Sequence, residues 1–134
     1  MAIAVDLGPV MSDLAPSKIL FVDDERGLVE TCTRHLRKQG YLCLPAYGID
    51  EAIALARAEA PDLVITDLNF PERDGFDLAA YVRAELPNTP VILITAHHPS
   101  VSETAAAQAG FSGYLRKPFS LTELSQIIEK VVGT

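Results

Sequence analysis

Tryptophan is absent from this chain of 134 residues, and cysteine occurs only twice. The two cysteines, Cys32 and Cys43, have neither the spacing of a zinc site nor that of a redox pair. They read as small buried hydrophobes in a reducing compartment. Basic residues are scarce, 11 against 18 acids, for a net charge of −7. Neutralising phosphates needs a basic face, so the domain is not expected to grip nucleic acid by itself. No apolar run approaches the ~18 residues of a membrane span. The first sixteen residues hold no lysine or arginine, so the basic start of a secretory signal is missing. These absences point to a cytoplasmic protein that does not enter a membrane.

What remains is an ordinary globular balance, 49% hydrophobic and 22% charged, in a length that suits one domain. Met1 to Ser17 contains Gly8-Pro9 and Pro16 and lacks periodicity, and Met11 offers a second start. We read residues 1–17 as a flexible leader and 18–134 as one folded domain.

Ile19 to Val22 reads as a buried strand that ends in Asp23-Asp24-Glu25. Leu28, Val29, Cys32 and Leu36 then recur at helical spacing, with Gly40 as the stop. Tyr41 to Ala46 is a weaker strand whose Pro45 suggests a sheet edge. Ile49 to Ala60 reads as an alanine-rich helix closed by Pro61. Leu63 to Thr66 shows no alternation and reads as a strand covered on both faces, with Asp67 at its end. A helix over 75–86 places Phe76, Ala79, Val82 and Leu86 on one face. Val91 to Ile94 is a fourth strand, ending in Thr95. Ser100-Val101-Ser102-Glu103 has the pattern of a capping box, opening a helix poor in large apolar residues that Gly110 ends. Gly113 to Leu115 is a fifth strand, followed by Arg116-Lys117-Pro118-Phe119. Ser120-Leu121-Thr122-Glu123 is a second capping box, and Leu121, Leu124, Ile127, Ile128 and Val131 form the stripe of the last helix.

Five strands alternating with five helices predict a doubly wound parallel sheet, an α/β three-layer sandwich. In such a sheet, ligands bind at the carboxyl ends of the strands. With strand order 2-1-3-4-5 the first and third strands are neighbours, which would bring Asp23, Asp24 and Asp67 together. Three carboxylates so close need a counter-charge. A hard divalent cation such as Mg²⁺ prefers oxygen ligands and supplies it, and Lys117 offers a point charge to a phosphoryl oxygen. At its strand end, Asp67 taken alone could be a hydrogen-bond anchor, a metal ligand or a nucleophile. With Lys117 and Thr95 beside it, the parts suit a phosphoryl group arriving at that carboxylate.

Taken together, Ile19-Leu20-Phe21-Val22-Asp23-Asp24-Glu25, Pro61-Asp62-Leu63-Val64-Ile65-Thr66-Asp67, Pro71 with Asp74-Gly75, Leu93-Ile94-Thr95-Ala96 and Lys117-Pro118-Phe119 resemble the receiver domain of two-component response regulators. The likeness, chemotaxis-regulator-like and flavodoxin-like in fold, runs from residue 18 to about 132. It implies that Asp67 accepts phosphate from a histidine kinase or a histidine phosphotransfer protein. It also implies that Asp24 and Asp67 bind Mg²⁺ directly, that Asp23 helps through water, and that Asn69 gives its backbone carbonyl. Lys117 and Thr95 would contact the phosphoryl group, Tyr114 would swing inward, and a cis peptide would precede Pro118. His97, with Asn69, would help set the phosphoryl lifetime. The face of the fourth helix, fifth strand and fifth helix would meet a partner, an output domain or a second copy. The domain would be a phosphoacceptor without separate substrate turnover. Two alternatives are a receiver-like interaction module that is not phosphorylated, and a phosphatase of the haloacid-dehalogenase kind. The second is disfavoured, because that family carries its nucleophile on the first strand and an acid two residues on, where this chain has Asn69.

Overall fold

The computed structural model describes residues 17–96 and 101–132. Within them, β1 (Lys18–Val22), β2 (Leu42–Ala46), β3 (Leu63–Thr66), β4 (Val91–Thr95) and β5 (Gly113–Arg116) alternate with α1 (Arg26–Lys38), α2 (Ile49–Glu59), α3 (Gly75–Glu85), α4 (Glu103–Gln108) and α5 (Leu121–Val132). The strands form one parallel sheet in the order β2-β1-β3-β4-β5. This is the fold and strand order expected from the sequence.

The run of apolar residues in each central strand follows from burial on both sides. Successive side chains point to opposite faces. Leu20, Val22, Val64 and Leu93 meet α2, α3 and α4 on one face. Ile19, Phe21, Ile65, Ile92 and Ile94 meet α1 and α5 on the other. Leu36 of α1 and Leu124 and Ile128 of α5 are fully buried there, as are the unpaired Cys32 and nearly so Cys43. Burial pushes both thiols up to about 11, which keeps them protonated and inert. β2 pairs with β1 alone, so Pro45 sits on a sheet edge where its missing N–H costs nothing. Gly40 ends α1 with φ +101, a left-handed conformation that suits glycine.

Two local expectations change. Phe76 does not join the buried stripe of α3; it is 38% exposed, and Leu78 takes the interior position. The ring of Phe76 instead meets Phe111 edge-on, at 5.7 Å between centroids. The cap of α4 is Ser102, whose hydroxyl accepts from Ala105 N–H at 3.1 Å, so the helix starts later than a Ser100 cap would place it. Either serine has a residue three positions on to cap, and Val101 is held in a buried bridge just before Ser102. Ser100 itself lies outside the described residues, as do His97 and all but Ser17 of the leader. The second capping box forms as the sequence suggests: Ser120 N–H donates to Glu123 at 2.8 Å and Glu123 N–H to Ser120 at 3.0 Å.

No described helix is long and apolar enough to cross a membrane.

Truncating a side chain in the α5 seam tests this packing. Leu124→Ala, at a fully buried site, should lower unfolding stability by about 2–5 kcal/mol. Leu42→Ala, at a 45% exposed edge position, should cost less than about 0.5 kcal/mol. Urea unfolding followed by circular dichroism reads both.

Candidate functional site

The carboxyl edge of the sheet gathers the polar residues because the ladder hands them over one strand at a time. Asp67 N–H donates to Val22 O at 3.0 Å, and Asp23 N–H donates to Ala46 O at 3.1 Å. The last bonds of β1 and β3 therefore set the two acids side by side. Asp23, Asp24 and Asp67 each bring a carboxylate oxygen to within 4.8 Å of the others. Asp23 is fully buried, Asp67 half-buried and Asp24 exposed. Lys117 arrives from the end of β5. Its backbone N–H donates to Thr95 O at 2.9 Å, which ties it to the end of β4.

The ammonium of Lys117 stands 2.7 Å from Asp23 Oδ2 and 3.1 Å from Asp67 Oδ2, with Glu25 Oε1 farther off at 3.8 Å. The contact to Asp67 is a hydrogen bond. The contact to Asp23 Oδ2 is an ion pair by distance, yet no donor is aligned on that buried oxygen. Burial raises the Asp23 carboxyl above its ordinary 3.8, against the pull of Lys117 and of the Glu25 amide. Burial alone would lower the Lys117 ammonium, but the close carboxylates of Asp23, then Asp67, leave it raised. Three oxygen donors, one of them buried with an unaligned lone pair, form a set that fits a hard cation. A single lysine against three acids leaves negative charge uncompensated, which such an ion would neutralise.

The loop after β3 holds Asp67 from below. Thr66, fully buried, donates its hydroxyl to Asp67 O at 2.7 Å. Leu68 N–H donates to Asp67 Oδ1 at 2.7 Å. Asn69 is exposed and pairs with Asp74 in an isolated antiparallel bridge, after which Gly75 N–H returns to Leu68 O at 2.7 Å. Asp74 caps α3 in a reciprocal pair with Asp77. A Cβ on Gly75 would lie 2.5 Å from Asp67 O and 3.2 Å from Leu68 Cα, so this close return of the chain requires glycine.

Thr95 ends β4 and is buried, opposite Arg116 in the ladder. Tyr114 lies on the α4 side of β5, half-buried, with its hydroxyl 3.5 Å from Val101 O. The Lys117–Pro118 peptide bond is cis. The structure thus brings together Asp23, Asp24, Asp67 and Lys117, puts Thr95 at the next strand end, and sets Tyr114 one strand farther on, beside the start of α4. Sequence reasoning missed Thr66 and the approach of Glu25 to Lys117. Nothing marks Thr66 beyond its place before Asp67. Glu25 could have been suspected as the third acid of a run in which only two were given work.

A family model described as the response regulator receiver domain matches residues 19–129. TcrX of Mycobacterium tuberculosis is 37% identical over 113 residues, covering 84% of this chain and 48% of that protein. The chain therefore spans about half the length of that relative. A CheY-like receiver domain protein of Methanospirillum hungatei superposes with a TM-score of 0.82 at 23% identity, covering 87% of this chain and 94% of that one. The response regulator TrrA of Thermotoga maritima, solved in complex with Mg²⁺ and BeF, gives 0.77 at 29% identity, covering 86% and 98%.

The glycine return gives a sharp comparison. Gly75→Ala should destabilise the protein by about 1–3 kcal/mol through overpacking. Gly27→Ala, in the first turn of α1 with nothing within 4 Å of its added carbon, should be neutral or stabilise by up to about 1 kcal/mol. Thermal unfolding of the two variants reads the difference.

Proposed function

This chain belongs to the response regulator receiver family, and within that family we propose that it works as a switch thrown by phosphorylation of Asp67. The observation that carries this reading is the meeting of Asp67 with the Lys117 ammonium, at 3.1 Å, beside two further acids. We take the receiver unit as residues 18–134.

A phosphohistidine of a histidine kinase or phosphotransfer protein is the expected donor. One oxygen of Asp67 forms a bond to phosphorus while the phosphorus–nitrogen bond of the donor breaks. The electron pair leaves with the imidazole, which takes up a proton. Lys117 neutralises charge on the transferred group and remains close enough to both neighbouring acids to bridge them to it. Mg²⁺, when bound, screens the phosphoryl oxygens from the carboxylates. Asp24 and Asp67 would hold it directly, Asn69 through its backbone carbonyl, and Asp23 through water. The Asp23 assignment suits its existing ties, since Oδ1 accepts the Glu25 N–H and Oδ2 faces Lys117.

The new group carries close to two negative charges. The Thr95 hydroxyl turns toward it and vacates space that the Tyr114 ring fills. The contact that Tyr114 would give up, at 3.5 Å, is at the outer limit of a hydrogen bond. Within α4 only Ala106 is buried, so little apolar packing opposes its movement. The α4-β5-α5 face would then be read by a partner, an output domain or a second copy of the chain. Such coupling is typically worth about 1–3 kcal/mol. The domain would turn over no separate substrate, and its protonated, unpaired cysteines suit the cytoplasm.

Incubation with acetyl phosphate and Mg²⁺ should add one phosphoryl group by intact mass, and Asp67→Asn should abolish the gain. An unmodified wild type, or a gain that persists in Asp67→Asn, would defeat this reading.

Magnesium should also stabilise the fold. At ten times its dissociation constant the gain is about 1.4 kcal/mol, seen as a higher melting temperature. Asp24→Ala and Asp67→Ala should each remove most of that rise, while Asp50→Ala, an acid tied to Arg73 instead, should keep it.

A further inference from the structure

We propose that Glu25 is a positioning residue for phosphoryl transfer: its carboxylate competes for the Lys117 ammonium and slows the charging of Asp67 by anionic donors. The inference rests on the reading of Asp67 as acceptor.

Glu25 occupies the N-cap of α1, a position where Asp, Asn, Ser or Thr ordinarily accepts a backbone amide of the first turn and glutamate is not favoured. Its side chain makes no such bond. The backbone of Glu25 is fixed instead by its own N–H, which donates to Asp23 Oδ1 at 2.9 Å. From that anchored position the carboxylate reaches to 3.8 Å from Lys117 Nζ. Nor does Glu25 belong to the cluster of three acids whose oxygens converge. It therefore neither caps its helix nor joins the cation set. Among the described residues its one ion pair is with the lysine.

That lysine has three N–H donors. Asp23 and Asp67, both fixed at strand ends, occupy the near positions. An arriving phosphoryl group needs the ammonium to turn toward it, and Glu25 pulls on it from the rim. The side chain of Glu25 is 66% exposed, against 18% for Lys117, so water and salt screen the attraction. The same exposed charge faces an incoming donor that is itself an anion. An exposed carboxylate acting at this range is worth a factor of about 2–5 in rate at low salt.

The test uses the full chain with Mg²⁺ and acetyl phosphate. Asp67 oxygen bonds to phosphorus, the phosphorus–oxygen bond to acetate breaks, and acetate departs with the electron pair. Phosphorylation rate constants are measured at low and high ionic strength for wild type, Glu25→Gln and Glu25→Asp. Glu25→Gln should be about 2–5 times faster at low salt, the gain shrinking as salt screens the charge. Glu25→Asp keeps the charge but shortens the reach, and should also be faster than wild type, though less so. Magnesium affinity, followed by calorimetric titration, should change less than about threefold, because this carboxylate lies outside the cation cluster. A Glu25→Gln rate equal to wild type overturns the proposal. So does a Glu25→Asp rate equal to wild type, which would reduce the effect to bulk charge, or a loss of magnesium affinity large enough to make Glu25 a ligand. If wild type itself takes up no phosphate, the acceptor reading fails and Glu25 is not implicated.

Discussion

One ammonium group holds the carboxyl edge together. Lys117 is the single cation within ion-pair distance of Asp23 and Asp67 among the described residues. It reaches them only because the fifth strand ends level with the fourth, through the bond from its own amide to Thr95 O. The fold's geometry follows from this demand. Acids must come from adjacent strands, β1 and β3, and the cation from the far side of the sheet. The strand order β2-β1-β3-β4-β5 supplies both. A parallel sheet also aligns all its strand ends on one edge, which an antiparallel sheet cannot do.

The two faces of the sheet are unequal in a way that matters for a switch. On one side α1 and α5 bury large side chains, Leu36, Leu124 and Ile128. On the other, α4 is short and rests on Ala106, flanked by Val101 and Phe111. Its C-terminal end is secured by a hydrogen bond from Arg83 to Ala109 O, a cation placed where a helix end favours one. Apolar burial scales with area, so the alanine helix has far less holding it than its neighbours. Tyr114 joins this weak side to the strand next to Thr95. A charge change at Asp67 reaches this weakly held helix through Lys117 and Thr95 at the ends of β5 and β4.

Most of this architecture was legible because buried parallel strands leave an unambiguous trace. Leu63 to Thr66 is apolar on both faces and bounded by Pro61 and Asp67, so both its identity and its end were fixed by composition. Pro45 marked the edge strand, and Gly40 and Gly110 marked helix ends. The failures arose where periodicity is degenerate. The spacing of Phe76 fitted the same stripe as Ala79 and Val82, which are buried, yet its ring lies exposed against Phe111. Two serines, Ser100 and Ser102, offered the same capping chemistry in one dimension, and it is Ser102 whose hydroxyl accepts the Ala105 amide. The acid cluster was legible as residue types at strand ends. The tie from Thr66 to the Asp67 carbonyl and the reach of Glu25 were not, since neither leaves a pattern in one dimension.

The cluster is also a local conflict with stability, and the signs of the perturbed ionisations show how. Asp23 titrates above its ordinary 3.8 because burial outweighs its partners. A folded state that holds this proton more tightly than the unfolded chain gains stability at low pH. That gain is lost as pH rises through the raised value. At neutral pH the ionised Asp23 is therefore a net burden on the fold when no cation is bound. Lys117 has the opposite consequence: its raised ammonium gives stability that persists below its ordinary 10.5 and disappears only as pH climbs above it. Through the neutral range the lysine thus offsets part of what the buried acid costs. A bound cation would complete the compensation, because it favours the ionised carboxylate and so reverses the sign of the Asp23 contribution. The fold tolerates crowded acids at this edge because the strand residues leading into them, 19–22 of β1 and 63–66 of β3, are fully buried. The strain is thereby confined to the site, where a change of charge has the greatest effect.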